Sequence, residues 1–307
     1  MYLGLVINLS LFQAMVRMAT PILFAALGGC LCERVGVVNI GLEGIMLTSA
    51  FFSVLVTYFT ASPWLGFLGG LVSGIAWGCV IALLTVRFFG NQIVVGTGVN
   101  VFGLGFSAFL SQKIWGSRGA SEAVQSFVPL QSLVLARIPY LGPVLNEHTF
   151  LVYLGFSLVL GLHLFLFHTP WGLRLRAVGE NPQAADTAGV NVLRYKTFGV
   201  VVGSAIASLG GIFLSLAHLS FFAWGMTNGR GFIGLAAMIF GKWMPLGCFL
   251  SSLLFGFADA LQMRLQALGI LPPQIILLIP YVVTILVLSG FVGRAVPPAR
   301  YEPYRKE

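Results

Sequence analysis

The chain has 307 residues, 58% of them hydrophobic and only 8% charged, with a mean hydropathy of +0.94. Soluble domains carry about 25% charged residues, so these few charges exclude a water-soluble globule and assign most of the surface to lipid. The net charge of +8 is dispersed between apolar runs with no basic patch interleaved with aromatics, which argues against nucleic acid and for a membrane protein with a charge bias across its loops.

A membrane-crossing helix needs about 20 mostly apolar residues. In chain order, such helices are predicted near 3–16, 17–32, 40–59, 64–88, 92–111, 149–168, 196–218, 231–241, 245–262 and 274–292. The segments 3–16 and 231–241 are short and span fully only if extended, tilted or shielded. The expected fold class is therefore an all-α polytopic membrane protein of eight to ten transmembrane helices with broken or half-spans. It forms a single transmembrane domain over 1–307. An external loop is expected at about 112–148, with room for a short surface helix, and a cytoplasmic loop at about 169–195.

Sidedness follows from Lys and Arg. With 169–195 inside, the inner side collects Arg34, Arg87, Arg174, Arg176, Arg194, Lys196, Lys242, Arg294, Arg300, Arg305 and Lys306. The outer side collects Lys113, Arg118, Arg137, Arg230 and Arg264, and Arg17 falls on neither. The excess of basic residues inside supports the alternation and puts the C-terminus in the cytoplasm. Cys30, Cys32, Cys79 and Cys248 lie in or beside apolar runs, without zinc-ligand spacing. "LGGC" at 27–30 has the form of a lipoprotein cleavage site, but no basic region precedes it and many spans follow. Small-residue runs such as "GFLGGLVSG" at 66–74 and "GSAIASLGG" at 203–211 predict close helix packing.

One polar stretch stands apart. In "GENPQAADTAGV" at 179–190, Asn181 suits an N-cap, Pro182 suits the first helical position, and Gly189 supplies a left-handed stop. A helix this short is marginal alone in water and persists only if something holds it. It is either a structured loop between spans or a docking helix for a cytoplasmic partner. Gly179, Asn181, Pro182, Ala184, Ala185 and Gly189 are then the coupling candidates.

"AVGENPQAADTAGVN" resembles the cytoplasmic coupling segment of ABC-importer permeases of the ribose, branched-chain amino acid and nucleoside branch. "CERVGVVNIGLEGIML" at 32–47, "NQIVVGTGVNVFGLG" at 91–105, "GRGFIGLAAMIFGKWMPLG" at 229–247 and "LPPQIILLIPYVVTILVL" at 271–288 are similar to that branch too. Within it the likeness is nearest to nucleoside permeases served by basic-membrane-protein-type binding lipoproteins. The 112–148 loop has no counterpart in the resemblance. The resemblance implies a transmembrane importer subunit in a bacterial plasma membrane, moving a neutral polar solute: a nucleoside, or alternatively a simple sugar or branched-chain amino acid. It implies three partners: a second, similar permease chain, a cytoplasmic ABC ATPase carrying ATP and Mg, and an external solute-binding lipoprotein.

Polar residues inside spans are functional candidates by default. Asn39 and Glu43, four apart, share a helical face, with Gly36 and Gly41 making a helix break plausible; such breaks line cavities in transporters. Alternatively, Asn39 caps a helix from about residue 40, with Glu43 completing a capping box. Gln92 and Asn100 share a face two turns apart, and their carboxamides suit either a hydroxylated solute or a helix–helix bond. Asp259, Gln262 and Arg264 suggest interfacial pairing, and Lys242–Trp243 an interfacial anchor. Phe102, Phe106 and Trp224 could stack a base.

No Walker A pattern occurs, so ATP hydrolysis is expected on a separate subunit. No catalytic triad or zincin motif is present, and no residue set reads as catalytic or metal-binding. An ion-coupled carrier is the rival reading, with only Glu43 and Asp259 as intramembrane carboxylates to serve it.

Overall fold

A computed structural model describes residues 9–130, 144, 146–268, 272–276, 278, 282, 285, 286, 297, 301 and 304. Within them the chain forms helix α1 (Leu9–Arg34), a turn at 35–41, α2 (Leu42–Thr60), and α3 (Pro63–Ala82), which runs into a π-helical turn (Leu83–Arg87). Next come α4 (Gln92–Trp115), α5 (Phe150–His168), α6 (Pro170–Glu180), α7 (Pro182–Thr187), and α8 (Val192–Ile212), extended by a second π-helical turn (Phe213–Leu219). α9 (Arg230–Phe240), α10 (Pro245–Leu268) and α11 (Pro273–Ile276) follow. No strand occurs among the described residues, and seven helices are long and apolar enough to cross a membrane. The chain is thus an all-α polytopic membrane protein.

Of the ten predicted segments, the first two are one helix from Leu9 onward. The expected boundary at 16–17 does not exist, because Arg17 lies exposed on the flank of α1 and Pro21 is carried inside the helix. In a packed bundle, neighbours compensate for such an internal proline. The predicted 231–241 is α9, a half-span of 11 residues. The predicted 274–292 falls mostly outside the described residues.

α1 lies at the centre, buried along most of its length, with α8, α9 and α10 packed around it. Lipid tails are as apolar as Leu, so packing and polar contacts must hold these helices together. Serines supply some of them between α2 and α8: Ser49 Oγ donates to the Ser208 carbonyl (3.0 Å), and the Ser53 and Ser215 hydroxyls pair at 2.7 Å. α3, α4 and α5 turn Val72, Val94, Val101 and Leu160 outward, as lipid-facing helices do.

Side-chain caps fix where elements start. The Asn91 carboxamide accepts from the Ile93 and Val94 amides at the start of α4, and Thr169 Oγ1 accepts from the Gly172 amide at the start of α6. The described part of the 112–148 loop is an extended strap. Ser121, Val124 and Phe127 donate their amides to the carbonyls of Phe222, Ser220 and Leu216. The strap covers one end of the bundle, and α6 and α7 mark the other.

The basic residues sort accordingly. Arg34, Arg87, Arg174, Arg176, Arg194, Lys196 and Lys242 lie toward the α7 end, while Lys113, Arg118 and Arg264 lie toward the strap. Arg230, counted with the outer loops by sequence, instead begins the half-span α9.

Candidate functional site

The turn at 35–41 is the break that Gly36 and Gly41 suggested, and it is buried inside the bundle. A buried non-helical segment exposes backbone donors and acceptors that must be satisfied. α4 supplies two carboxamides from one face. The Val38 amide donates to Gln92 Oε1 (2.7 Å), the Gly44 amide donates to Asn100 Oδ1 (2.7 Å), and Asn100 Nδ2 donates to the Ile40 carbonyl (3.0 Å). Asn39 closes the turn from within: its Oδ1 accepts from the Gly41 amide (3.1 Å), and its Nδ2 reaches Ser204 Oγ (3.4 Å). These three candidates therefore hold the break, with their polar atoms engaged by protein groups.

Glu43 does something else. α2 begins at Leu42, with Gly41 at its cap position and no side-chain cap, so the expected capping box with Asn39 does not form. The carboxylate instead accepts the Gly229 amide (2.8 Å) at Oε1 and the Gly231 amide (2.7 Å) at Oε2. Both donors belong to the start of α9, where unpaired amides and the helix dipole favour a negative charge.

The depth of this clamp follows from packing. α9 runs alongside α1 in the same direction: a Cβ at Gly234 would meet Ala25, and Trp243, just beyond α9, meets Glu33 and Arg34. At 1.5 Å per residue, Gly231 lies about 18 Å from the Arg34 end of α1, which is about 39 Å long. Glu43 thus meets the tip of a half-helix near mid-depth, an arrangement typical of membrane transporters.

A polar cluster that sequence reading missed closes the α7 end. Glu33 accepts from Trp243 Nε1 (2.5 Å) and from the Tyr301 hydroxyl (2.8 Å), Arg34 Nε donates to the Trp243 carbonyl (2.9 Å), and Gln92 Nε2 donates to the Tyr301 carbonyl (3.3 Å). Burial and the adjoining Glu33 carboxylate push the Tyr301 phenol far above its ordinary range, keeping it a donor. Trp243 is buried, so it is a core residue and not the expected interfacial anchor. No local pattern signals this cluster, whose members are up to 268 residues apart.

Other polar candidates separate. Arg264 Nη1 donates to Ser10 Oγ (2.8 Å), tying α10 to the start of α1. Phe102 and Phe106 stack on each other at 5.0 Å, while Trp224 donates its indole N–H to the Leu104 carbonyl (3.2 Å).

The polar helix forms as its residues dictate. Asn181 caps α7, accepting from the Ala184 amide (3.1 Å), and Pro182 stands at its first position. Gly189 has φ of 80°, and the amides of Gly189 and Val190 donate to the Asp186 and Ala185 carbonyls, closing the C-terminus. Ala184 is exposed, whereas Ala185 is buried. Gly179 is pressed against the end of α1, since a Cβ there would collide with the Arg34 carbonyl. α6, which sequence reading left as loop, leads into α7, and Arg34 and Arg176 both lie over the Phe167 ring at 5.3 and 4.8 Å. The end of α6 thus abuts the central helix backbone to backbone, and α7 follows it after Asn181. Among the described residues no group of His, Cys, Asp and Glu could hold a metal ion.

Comparison with known proteins follows the same line. Residues 11–288 match the family described as "Branched-chain amino acid transport system / permease component". The chain is 38% identical over 300 residues to the guanosine ABC transporter permease protein NupQ of Bacillus subtilis, covering 94% of each chain. It is 39% identical over 297 residues to the nucleoside ABC transporter permease protein NupC of Lactococcus lactis, covering 92% of each. It is 35% identical over 326 residues to the putative glucose ABC transporter permease protein TsgC13 of Haloferax volcanii, covering 97% of this chain and 98% of that one. No solved structure matches.

Proposed function

Because the chain belongs to the family of branched-chain amino acid transport system permease components, we propose that it is the membrane subunit of an ATP-driven nucleoside importer. The single observation that carries the mechanism is the seating of α7: an exposed, doubly capped helix whose preceding glycine abuts the end of the central helix α1. A cytoplasmic ATPase dimer engages 179–190, with ATP and Mg held on that partner. When the ATPase closes, it displaces α7 and with it the Arg34 end of α1. Trp243, bonded to both Glu33 and Arg34, carries the displacement to α9, whose other end rests on Glu43. The break at 35–41 and the half-helix are the elements that change between outward- and inward-open states. A few kcal/mol of differential contact suffices to shift such an equilibrium by orders of magnitude.

In this reading the α7 end and the C-terminus face the cytoplasm of a bacterial plasma membrane. Tyr301 supports that sidedness by contacting Glu33 and Gln92 at the α7 end. A second, similar permease chain completes the path, and an external binding lipoprotein delivers the solute. The nucleoside assignment rests on the two nucleoside permeases to which the chain is 38–39% identical. A simple-sugar reading is favoured by the 35% identity to a permease named for glucose. Uptake competition in cells carrying the whole transporter, with nucleosides, glucose, pentoses and leucine as competitors, separates the two. Competition by nucleosides alone supports the proposal, and competition by glucose or leucine alone overturns the solute.

A further inference from the structure

The glycines Gly70, Gly74 and Gly78 bring α3 against α8, where added Cβ atoms would meet Ile212, Ser208 and Val201. Past Gly78, α3 passes into its π-helical turn (Leu83–Arg87). Between that turn and the start of α8 lies a groove of about 470 Å³, lined by Val86, Leu193, Phe198, Val201 and Val202 together with Arg87 and Arg194. Both arginines are exposed, and neither guanidinium has a hydrogen-bond or ionic partner among the described residues.

The surroundings identify the medium. Leu83, Leu84, Phe88 and Phe198 are exposed apolar residues flanking the groove, and Trp171 of α6 lies 6.4 Å from the Phe198 ring. An exposed tryptophan beside exposed aliphatic residues and free arginines marks the boundary between hydrocarbon and headgroups. The groove therefore combines an apolar lining with two positive charges that have no partner among the described residues, at headgroup level. From this geometry we infer that it is a binding site for an anionic phospholipid, with the phosphate bridging Arg87 and Arg194 and an acyl chain lying along Val86, Leu193, Phe198 and Val202. Basic pockets between transmembrane helices on the cytoplasmic side recognise anionic headgroups in this way. A lipid seated there would bridge the end of α3 to the start of α8, immediately after α7. The inference requires only that the chain spans a membrane, and it stands whatever the solute.

The test is lipid retention by the detergent-purified chain, measured by native mass spectrometry during titration with phosphatidylglycerol, phosphatidylcholine or inorganic phosphate. The wild-type chain should retain phosphatidylglycerol at least tenfold more tightly than phosphatidylcholine and bind free phosphate negligibly. Arg87→Gln with Arg194→Gln should remove that preference, while Arg87→Lys with Arg194→Lys should keep most of it. The wild-type comparison needs no variant, so a misfolded double substitution leaves the test intact. Equal retention of both lipids, unchanged preference in the Gln pair, or free phosphate binding as tightly as the lipid would each overturn the assignment. So would addition of the ATPase displacing the lipid and burying Arg194, since the surface would then belong to that partner.

Discussion

Asn100→Ala removes two of the polar atoms through which α4 holds the break, leaving only the Gln92 bond to the Val38 amide. The Gly44 amide and the Ile40 carbonyl lose their partners at a position where Asn100 itself is buried. A buried group left unsatisfied costs about 1–3 kcal/mol, so the pair predicts a loss of roughly 2–6 kcal/mol, a large part of a domain's stability. Thr97, one turn earlier, is exposed and bonds only to the Ile93 carbonyl of its own helix, so Thr97→Ala should stay within about 0.5 kcal/mol. Unfolding by SDS titration in mixed micelles measures both, with solute uptake and ATPase co-purification followed in parallel. Asn100→Ala should lose stability, and its uptake should fall with the amount of assembled transporter. If stability and assembly were unchanged while uptake vanished, the carboxamide would be a solute ligand and the clamp reasoning would be wrong.

Glu43→Gln keeps one acceptor but loses the negative charge at the start of α9; we expect a loss of about 1–3 kcal/mol in the same titration, whereas an unaltered midpoint would deny the clamp its role. At Gly189, with its positive φ, substitution by Val should cost about 1–2 kcal/mol of local stability, and Asn should be tolerated; equal hydrogen-exchange protection of α7 in the two variants would contradict this. Burial, helped by the positive charge of Arg17, lowers the pKa of His148 despite its bond to the Val144 carbonyl and the nearby Glu147. The unfolded chain therefore takes up this proton first, so stability is unaffected above about pH 6.5 and declines as pH falls below it. His148→Gln should flatten the fall in thermal midpoint between pH 7.5 and 5, and a parallel fall in both proteins would assign it to other groups.

Much of the architecture is local and was readable. The starts of α4 and α10 agree with the predicted 92 and 245, because Asn91 and Pro245 announce them. The caps of α7 are encoded locally, between Asn181 and Gly189, and formed as expected. Gln92 and Asn100 were placed on one face by spacing, but spacing could not say that the face meets a broken backbone rather than a solute. Glu43 satisfies a helix start about 186 residues later, and Glu33 meets Trp243 and Tyr301 across similar distances. Such pairings depend on which helices become neighbours, which hydrophobic periodicity does not specify. The fused first helix shows the same limit: a charge in an apolar run reads as a boundary until the exposed flank that accepts it is known.

The central claim is that α7 transmits force from a nucleotide-hydrolysing neighbour. Its most direct test is one exposed cysteine in this chain, at Ala184 (Ala184→Cys, with exposed Cys79→Ser, the other three being buried), in the intact transporter, probed by a short cross-linker and by a membrane-impermeant thiol reagent. A cross-link to the ATPase whose yield changes with bound nucleotide, together with protection from reagent applied outside, is the predicted result. Modification from the external side, or no cross-link in any nucleotide state, would contradict it.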